Sequence, residues 1–295
     1  CAKDLEEPDP NGQKVVFWYQ YKHNREQALL DMVDDFNSGN PYGIEVKAEY
    51  AGDYHEIYTQ MMDGLQGGSL PQLVVAYHNQ AWAYHRAGGV VDLTPYMDSP
   101  RWGISAAERA DYIEELLKLD NAGGIQVAFR PHFSTELFFY NADWLAELGH
   151  PQPPQNWDEF AELCRLARER PFSRSARPER SLGFMLGEDA SRLASMVLSR
   201  GGELINAWHK AYTFNTPPFR ETLTLLRQLY REGAVGLFSD PYVDRREFSA
   251  GRVLFLMHSS SNVPAIEDDV ASGLNFAWDV TLVPHSAEHP VNNIY

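Results

Sequence analysis

The sequence predicts an α/β protein of two lobes, each built on a mainly parallel sheet flanked by helices. The chain has 295 residues, 44% of them hydrophobic and 13% aromatic, which is enough for two domains with cores of their own. Short β-type runs alternate with segments of helical periodicity, as in parallel sheets with right-handed crossovers. An apolar run stops at Arg130 and a second begins at Leu137, which marks the crossing between the lobes.

The first half of the chain contains three predicted strands, each followed by a helix. The expected strands are residues 15–18, 44–50 and 73–77. Apolar residues at helical spacing between Leu29 and Phe36 predict the first helix. Asp53 and Glu56 predict a capping box at the start of the second. The third helix is expected from about Gln80.

The second half continues the alternation after the crossing. Leu137 to Tyr140 is expected to be a strand, and a later apolar run is expected to form a strand that ends at His258 and the serines after it. The expected helix caps in this half are Asn141, Asn156 and Thr216. Cys164 falls on the apolar side of a predicted helix, so a buried, inert thiol and no intramolecular disulfide are expected.

Charge and composition exclude several classes of function. The net charge is -16, with 25 Lys and Arg against 41 Asp and Glu, whereas phosphate-backbone binding needs a positive surface. Nucleic acid is therefore not expected as a partner. No apolar stretch approaches the ~20 residues that span a bilayer, so no transmembrane helix is expected.

An enzyme is the competing class, because the chain is rich in carboxylates and histidines. The acid pairs Glu114-Glu115 and Asp268-Asp269 could suggest a glycosidase. Neighbouring acids on a helix point in different directions and normally face water. The histidines lack a metal-binding spacing, and phosphate-loop and nucleophile-elbow motifs are missing. No catalytic residue, metal or cofactor is predicted.

Ligands of doubly wound sheets lie beyond the carboxyl ends of the strands, and that rule selects a short set of residues. They are Trp18, Tyr19, Gln20, Tyr77, His78, Asn79, Ser134, Thr135, Ser259, Ser260 and Ser261. Hydroxyl groups and helix-start amides suit the oxygens of a polyol or phosphate, and aromatic faces suit sugar rings. Core packing is the alternative for Trp18 and Tyr77, and helix capping is the alternative for the serines.

Several segments, in order, resemble the extracellular solute-binding proteins (family 1) of ATP-driven importers. The matching segments are Gly123–Arg130, Ser134–Asp143, Leu148–Pro151, Pro153–Glu159, Thr213–Pro217 and Phe248–Met257. The resemblance implies a type II periplasmic-binding-protein-like fold with a ligand cleft at the hinge. It also implies a monomer outside the cytoplasm that captures a small solute and delivers it to the membrane permease of an ABC transporter, without catalysis.

Within that family the motifs are most similar to the glycerol-3-phosphate branch. The branch implies contacts from Tyr54, Ser134 and the later serines to glycerol 3-phosphate or a glycerophosphodiester. This chain departs from it at His78 and at Glu188-Asp189, where acids would repel a phosphate. The alternative solute is a mono- or oligosaccharide stacked on Trp18, Tyr19 and Trp208. A glycoside or phosphodiester hydrolase is a third reading.

The two ends of the sequence add expectations about anchoring and extent. The chain starts at Cys1 and continues with a polar segment, a pattern typical of a processed lipoprotein with acyl groups on that cysteine. Residues 1–14 are expected to be a flexible tether, 15–126 the N-terminal lobe, and 127–295 the C-terminal lobe with the start of a second crossover. The resemblance implies a return segment after residue 295. A membrane-anchored or periplasmic location follows.

Overall fold

A computed structural model describes residues 9–130, 132–206, 208, 210–240, 242–286 and 288–289. It separates the chain into two compact α/β units, residues 1–133 (unit 1) and 134–295 (unit 2). The predicted lobe boundary lies between residues 126 and 127. Cys1, which is expected to carry a lipid, lies outside the described ranges, as do most of the expected tether and the last residues of the expected second crossover.

Unit 1 is built on a three-stranded parallel sheet with the order β2-β1-β3. Its elements are β1 (Lys14–Tyr19), α1 (Asn24–Gly39), β2 (Glu45–Tyr50), α2 (Tyr54–Gly64), β3 (Leu73–Val74), α3 (His78–Arg86), α4 (Thr94–Met97), α5 (Ala106–Arg109), α6 (Glu114–Leu117), β4 (Asn121–Ala122) and β5 (Ile125–Gln126). Each of the first three strands is followed by a helix, as the alternation of the sequence predicts.

The core of unit 1 is small and lies between its sheet and the second and third helices. Ile57 and Met61 of α2 and Tyr84 of α3 are buried together, with Trp18 of β1 packed against them. The apolar residues of α1 contribute little to this core, because Met32 is 61% exposed and α1 has no buried residue.

Unit 2 is built on a five-stranded sheet with the order β10-β7-β11-β6-β12. Its elements are β6 (Glu136–Asn141), α7 (Ala142–Leu148), α8 (Trp157–Glu169), β7 (Leu182–Gly187), α9 (Ala190–Leu198), β8 (Ile205–Asn206), β9 (Ala211–Tyr212), α10 (Pro217–Arg231), β10 (Val235–Phe238), α11 (Val243–Ser249), β11 (Val253–Ser259), α12 (Val263–Ser272) and β12 (Trp278–Thr281). A short 3-10 helix, Ser260–Asn262, joins β11 to α12.

One strand of unit 2 runs against its neighbours. β10, β7 and β11 are parallel, whereas β6 pairs antiparallel with both β11 and β12. In this register Glu136, the first residue of β6, lies opposite Ser259, the last residue of β11. The direction of β6 therefore brings the crossing segment to the carboxyl end of β11.

Local hydrogen bonds confirm most of the predicted helix starts. The Asp53 side chain accepts from the amides of His55 and Glu56, and Glu56 accepts from the Asp53 amide, which completes the capping box. Asn141 and Asn156 also cap as predicted. Thr216 was predicted to cap α10, but its hydroxyl donates to the Thr213 carbonyl instead.

The core of unit 2 is large and aromatic. Phe138, Phe160, Phe184 and Phe255 are fully buried and contact one another between the sheet and α8. Cys164 is buried in the same core, and burial raises the pKa of its thiol well above the usual value. None of the described helices is long and apolar enough to cross a membrane.

Candidate functional site

In unit 1 two predicted residues form a tyrosine pair, Tyr54 after β2 and Tyr77 after β3. The rings of Tyr54 and Tyr77 stack with centroids 4.1 Å apart and an angle of 28° between their planes. Gln20, which follows β1, donates from Nε2 to the Tyr54 hydroxyl at 3.1 Å. The Gln80 side chain links the two backbones, because it accepts from the Tyr77 amide and donates to the Tyr54 carbonyl.

Trp18, Tyr19 and His78, also predicted in unit 1, make no described side-chain contact with the tyrosine pair. Trp18 donates from Nε1 to Glu49 at 3.3 Å and packs against the core. Tyr19 is buried, and its hydroxyl donates to Glu26 at 2.8 Å. Burial and this hydrogen bond raise the pKa of Tyr19 to about 12. His78 is the exposed first residue of α3. Trp18 and Tyr19 are thus held by contacts within the protein.

A groove of about 550 Å³ lies beside α2 in unit 1. Its lining includes Lys22, Tyr50, His55 and Gln60. The Lys22 ammonium lies 5.2 Å from the centroid of the Tyr50 ring. The strand-end residues chosen from the sequence did not include this groove, because none of them follows β2, whose last residue, Tyr50, lines it.

In unit 2 the predicted hydroxyl residues come together in a serine turn, defined here as Ser134, Thr135, Ser259, Ser260 and Ser261. Ser260 donates its amide to the Thr135 carbonyl at 2.7 Å, and the Thr135 amide donates to the Ser260 hydroxyl at 3.1 Å. The hydroxyls of Ser259 and Ser261 are 3.0 Å apart. Ser134 is partly exposed, and among the described residues its hydroxyl has no hydrogen-bond partner.

A buried charge network lies next to the serine turn. Arg192 of α9 donates to the Asp244 Oδ2 atom at 2.9 Å, and His258 Nε2 lies 3.0 Å from the same oxygen and from the arginine NH2 atom. All three residues are buried. Burial by itself would raise the pKa of Asp244, but the His258 hydrogen bond and the positive charges around it hold that pKa below its ordinary value. His258 directly precedes Ser259, so the network supports the end of β11.

Glu136 is the second buried acid at this edge of the sheet. The side chain is 1% exposed, and Oε2 has no partner among the described residues. Its other oxygen, Oε1, lies 3.1 Å from the Ser191 hydroxyl, which lies 2.6 Å from Asp189 Oδ1. Burial raises the pKa of Glu136 to about 7. Sequence reasoning missed Glu136 and His258, although each is a polar residue at one end of an apolar run.

One residue of each acid pair considered for hydrolysis forms an ion pair with a basic side chain. Glu114 forms an ion pair with Lys118 at 2.9 Å, one turn along the chain, and Asp269 pairs with Arg245 at 2.6 Å. Across the described ranges, no group of three or more His, Cys, Asp or Glu residues could hold a metal ion. Trp208, named with the saccharide alternative, is 93% exposed.

Comparison with known proteins identifies one family. The model of the family described as bacterial extracellular solute-binding protein matches residues 22–294. No curated protein sequence matches the chain.

Solved structures of similar fold include sugar-binding proteins and a protein solved with glycerophosphocholine. The UgpB protein of Mycobacterium tuberculosis, solved with glycerophosphocholine, has a TM-score of 0.76 at 19% identity, covering 94% of this chain and 67% of its own. The sugar-binding protein MalE of Xanthomonas citri has a TM-score of 0.75 at 19% identity, covering 92% and 66%. The cyclic alpha-maltosyl-1,6-maltose binding protein of Arthrobacter globiformis has a TM-score of 0.71 at 20% identity, covering 93% and 66%.

These similarities confirm the predicted fold class, an α/β fold of the type II periplasmic-binding-protein kind. Identities of 19–20% show the fold alone. The chain spans about two thirds of the length of these structures, since it covers 66% or 67% of each.

Proposed function

Because the chain belongs to the bacterial extracellular solute-binding protein family, we propose that it captures a small solute outside the cytoplasm and delivers it to the permease of an ATP-driven importer. The observation that carries this proposal is the clustering of predicted ligand residues at the strand ends of both units. Unit 1 offers the stacked Tyr54 and Tyr77, and unit 2 offers the serine turn. These groups can hold a solute by ring contact and hydrogen bonding, and such binding does not require the solute to react.

We propose glycerol 3-phosphate or one of its diesters as the first candidate solute. The serine turn supports this choice, because hydroxyl groups and the amides that begin a helix suit phosphate oxygens. Ser134 has a hydroxyl that its own unit leaves unbonded among the described residues. The similar UgpB structure contains glycerophosphocholine.

A mono- or oligosaccharide is the second candidate, and the charges near the serine turn favour it. The Arg192 guanidinium contacts Asp244, His258 and Asp189 and is therefore committed within the protein. A phosphate at the serine turn would therefore gain little electrostatic attraction from Arg192. It would also be repelled by Asp189 and Asp244, the two acids that Arg192 contacts. A neutral polyol would meet no such repulsion.

Replacing Ser134 by Ala is expected to separate the two candidates. If the hydroxyl donates to a charged phosphate oxygen, affinity should fall by about 1.5–3 kcal/mol, whereas a bond to a neutral hydroxyl is worth about 0.5–1.5 kcal/mol. Calorimetry of solute binding measures the difference. Ser272→Ala, at the exposed end of α12, is the matched control and should bind as the parent does. Unchanged affinity in Ser134→Ala would remove Ser134 from the site.

The tyrosine pair provides a corresponding test in unit 1. We expect Tyr77→Ala to weaken solute binding by about 1–3 kcal/mol, since a ring face is lost and Tyr54 loses its stacking partner. Tyr77→Phe keeps the ring and should retain most of the affinity. Equal losses in the two variants would show that the hydroxyl, and not the ring face, makes the contact.

The competing hydrolase function predicts a different outcome with the same solutes. A binding protein returns glycosides and phosphodiesters unchanged after prolonged incubation. Turnover that persists through repurification, and that disappears with a single carboxylate variant, would establish an enzyme instead.

A further inference from the structure

We propose that Glu136 is a positioning residue of the serine turn, and that it is a protonated acid whose hydroxyl donates a hydrogen bond to Ser191. This inference rests on the proposed function only in its calorimetric test, because its other two tests use the protein without solute. Its starting point is a chain of three oxygen-bearing side chains, Glu136, Ser191 and Asp189, at the carboxyl-end edge of the sheet in unit 2.

The number of hydrogens available to these three side chains requires a proton on one of the two acids. The Ser191 hydroxyl has a single hydrogen but lies within bonding distance of two carboxyl oxygens, at 3.1 Å from Glu136 and 2.6 Å from Asp189. If both acids were ionised, one of these contacts would place lone pairs against each other. With a proton on Glu136, the acid donates to Ser191 and Ser191 donates to Asp189, so each short contact contains a hydrogen.

Burial decides which acid carries the proton. Glu136 is 1% exposed, whereas the Asp189 side chain is 41% exposed and also accepts from the Ser191 amide. Desolvation opposes the charged form of a buried acid. Accordingly burial raises the pKa of Glu136 to about 7, and the bonds from Ser191 lower the pKa of Asp189 against the opposing effect of its own burial.

The charged groups around Glu136 come from three elements. Helix α9 contributes Asp189, which opposes ionisation of Glu136, and Arg192, which favours it. The Arg192 guanidinium is shared with Asp244 of α11 and His258 of β11. Because those contacts occupy the arginine, its charge compensates only part of the cost of ionising Glu136.

The position of Glu136 connects its proton to the serine turn. It follows Thr135, which exchanges two hydrogen bonds with Ser260, and it lies opposite Ser259 in the antiparallel ladder. An ionised Glu136 would need hydration that its buried position denies. Movement of the start of β6 toward water would break the bonds between Thr135 and Ser260. Deprotonation should therefore loosen the serine turn.

Infrared difference spectroscopy of the solute-free protein tests the proton directly. We expect a carbonyl band of a protonated carboxylic acid that titrates with a midpoint near pH 7 and is missing from Glu136→Gln. Glu188→Gln, a change of the neighbouring exposed acid, should leave the band unchanged. The proposal would be overturned if, at pH 6, the spectra of the parent protein and of Glu136→Gln showed the same carboxylic-acid bands.

Hydrogen exchange tests the positioning role and also needs no solute. Compared at the same pH, peptides containing Thr135 and Ser260 should exchange faster in the parent protein than in Glu136→Gln above pH 7, and equally below pH 6. Gln keeps a hydrogen donor beside Ser191 without the charge. Equal exchange at every pH would reduce Glu136 to a core residue with no effect on the turn.

Calorimetry with glycerophosphocholine and maltose extends the test to the proposed function, because neither probe changes charge between pH 6 and 9. For the probe that binds, affinity should fall roughly tenfold per pH unit above the Glu136 midpoint, and Glu136→Gln should remove this dependence. A pH dependence retained by Glu136→Gln would contradict the proposal. If neither probe binds, both candidate solute classes fail, while the spectroscopic and exchange results still decide the role of Glu136.

Discussion

Replacing Asp244 by Ala is expected to lower the free energy of unfolding of unit 2 by about 3–5 kcal/mol, because it leaves two buried basic groups without their shared acceptor. Arg192 and His258 both contact the Asp244 Oδ2 atom, at 2.9 and 3.0 Å, and both are 7% exposed. Neither can reach water without moving. Urea unfolding measures the change, and hydrogen exchange of unit 2 peptides assigns the transition.

Two further variants show whether the buried charges cause this effect. Asp268→Ala removes an exposed acid from α12 and should change stability by less than about 0.5 kcal/mol. Asp244→Ala combined with Arg192→Leu should cost clearly less than the sum of the two single changes, since the second change removes one unpaired charge. Strict additivity would show that Asp244 and Arg192 do not interact in solution.

Phe160→Ala is expected to destabilise unit 2 by about 3–5 kcal/mol through loss of buried area and formation of a cavity. Phe160 is fully buried in α8, and its ring lies 5.3–5.8 Å from the rings of Phe138, Trp157, Phe184 and Phe255. It therefore joins the helix to three strands of the sheet. The same unfolding measurement applies.

Leu237→Ala is the matched control for the core change, because Leu237 lies on β10 and is 60% exposed. It should cost no more than about 1 kcal/mol. A loss in Phe160→Ala as small as that of the control would contradict the aromatic core of unit 2.

The sequence predicts the local features of the fold because they depend on neighbours along the chain. The Asp53 capping box and the caps at Asn141 and Asn156 involve partners two or three residues away, and all three are confirmed. The alternation of strands and helices is local in the same sense. The predicted cap at Thr216 is wrong, because its hydroxyl has a competing acceptor on Thr213.

Features that depend on distant residues escape sequence reasoning. Hydrogen bonds of the buried charge network and of Glu136 join residues 52, 55 and 66 positions apart, as in Arg192–Asp244, Glu136–Ser191 and Arg192–His258. A single sequence shows no pattern at such distances. The antiparallel direction of β6, which brings Thr135 to Ser260, also follows from packing of the whole sheet.

The same limit applies to the candidate site. The strand-end rule named Tyr77 and the serines, and the family resemblance named Tyr54, but neither showed which of them make contact. The rule also selected Trp18 and Tyr19, whose polar atoms bond to Glu49 and Glu26. Strand-end position gives the edge of the sheet on which a side chain lies, whereas its hydrogen-bond partners depend on the neighbouring elements.

A calorimetric titration of the purified protein with glycerol 3-phosphate, glycerophosphocholine, maltose and trehalose tests the proposed function most directly. We expect saturable binding of one solute or one class, weakened by Ser134→Ala and Tyr77→Ala, with the solute recovered unchanged. A phosphate-bearing solute would support the first candidate, and a saccharide the second. Binding of none of the four, or their conversion to products, would contradict the proposal.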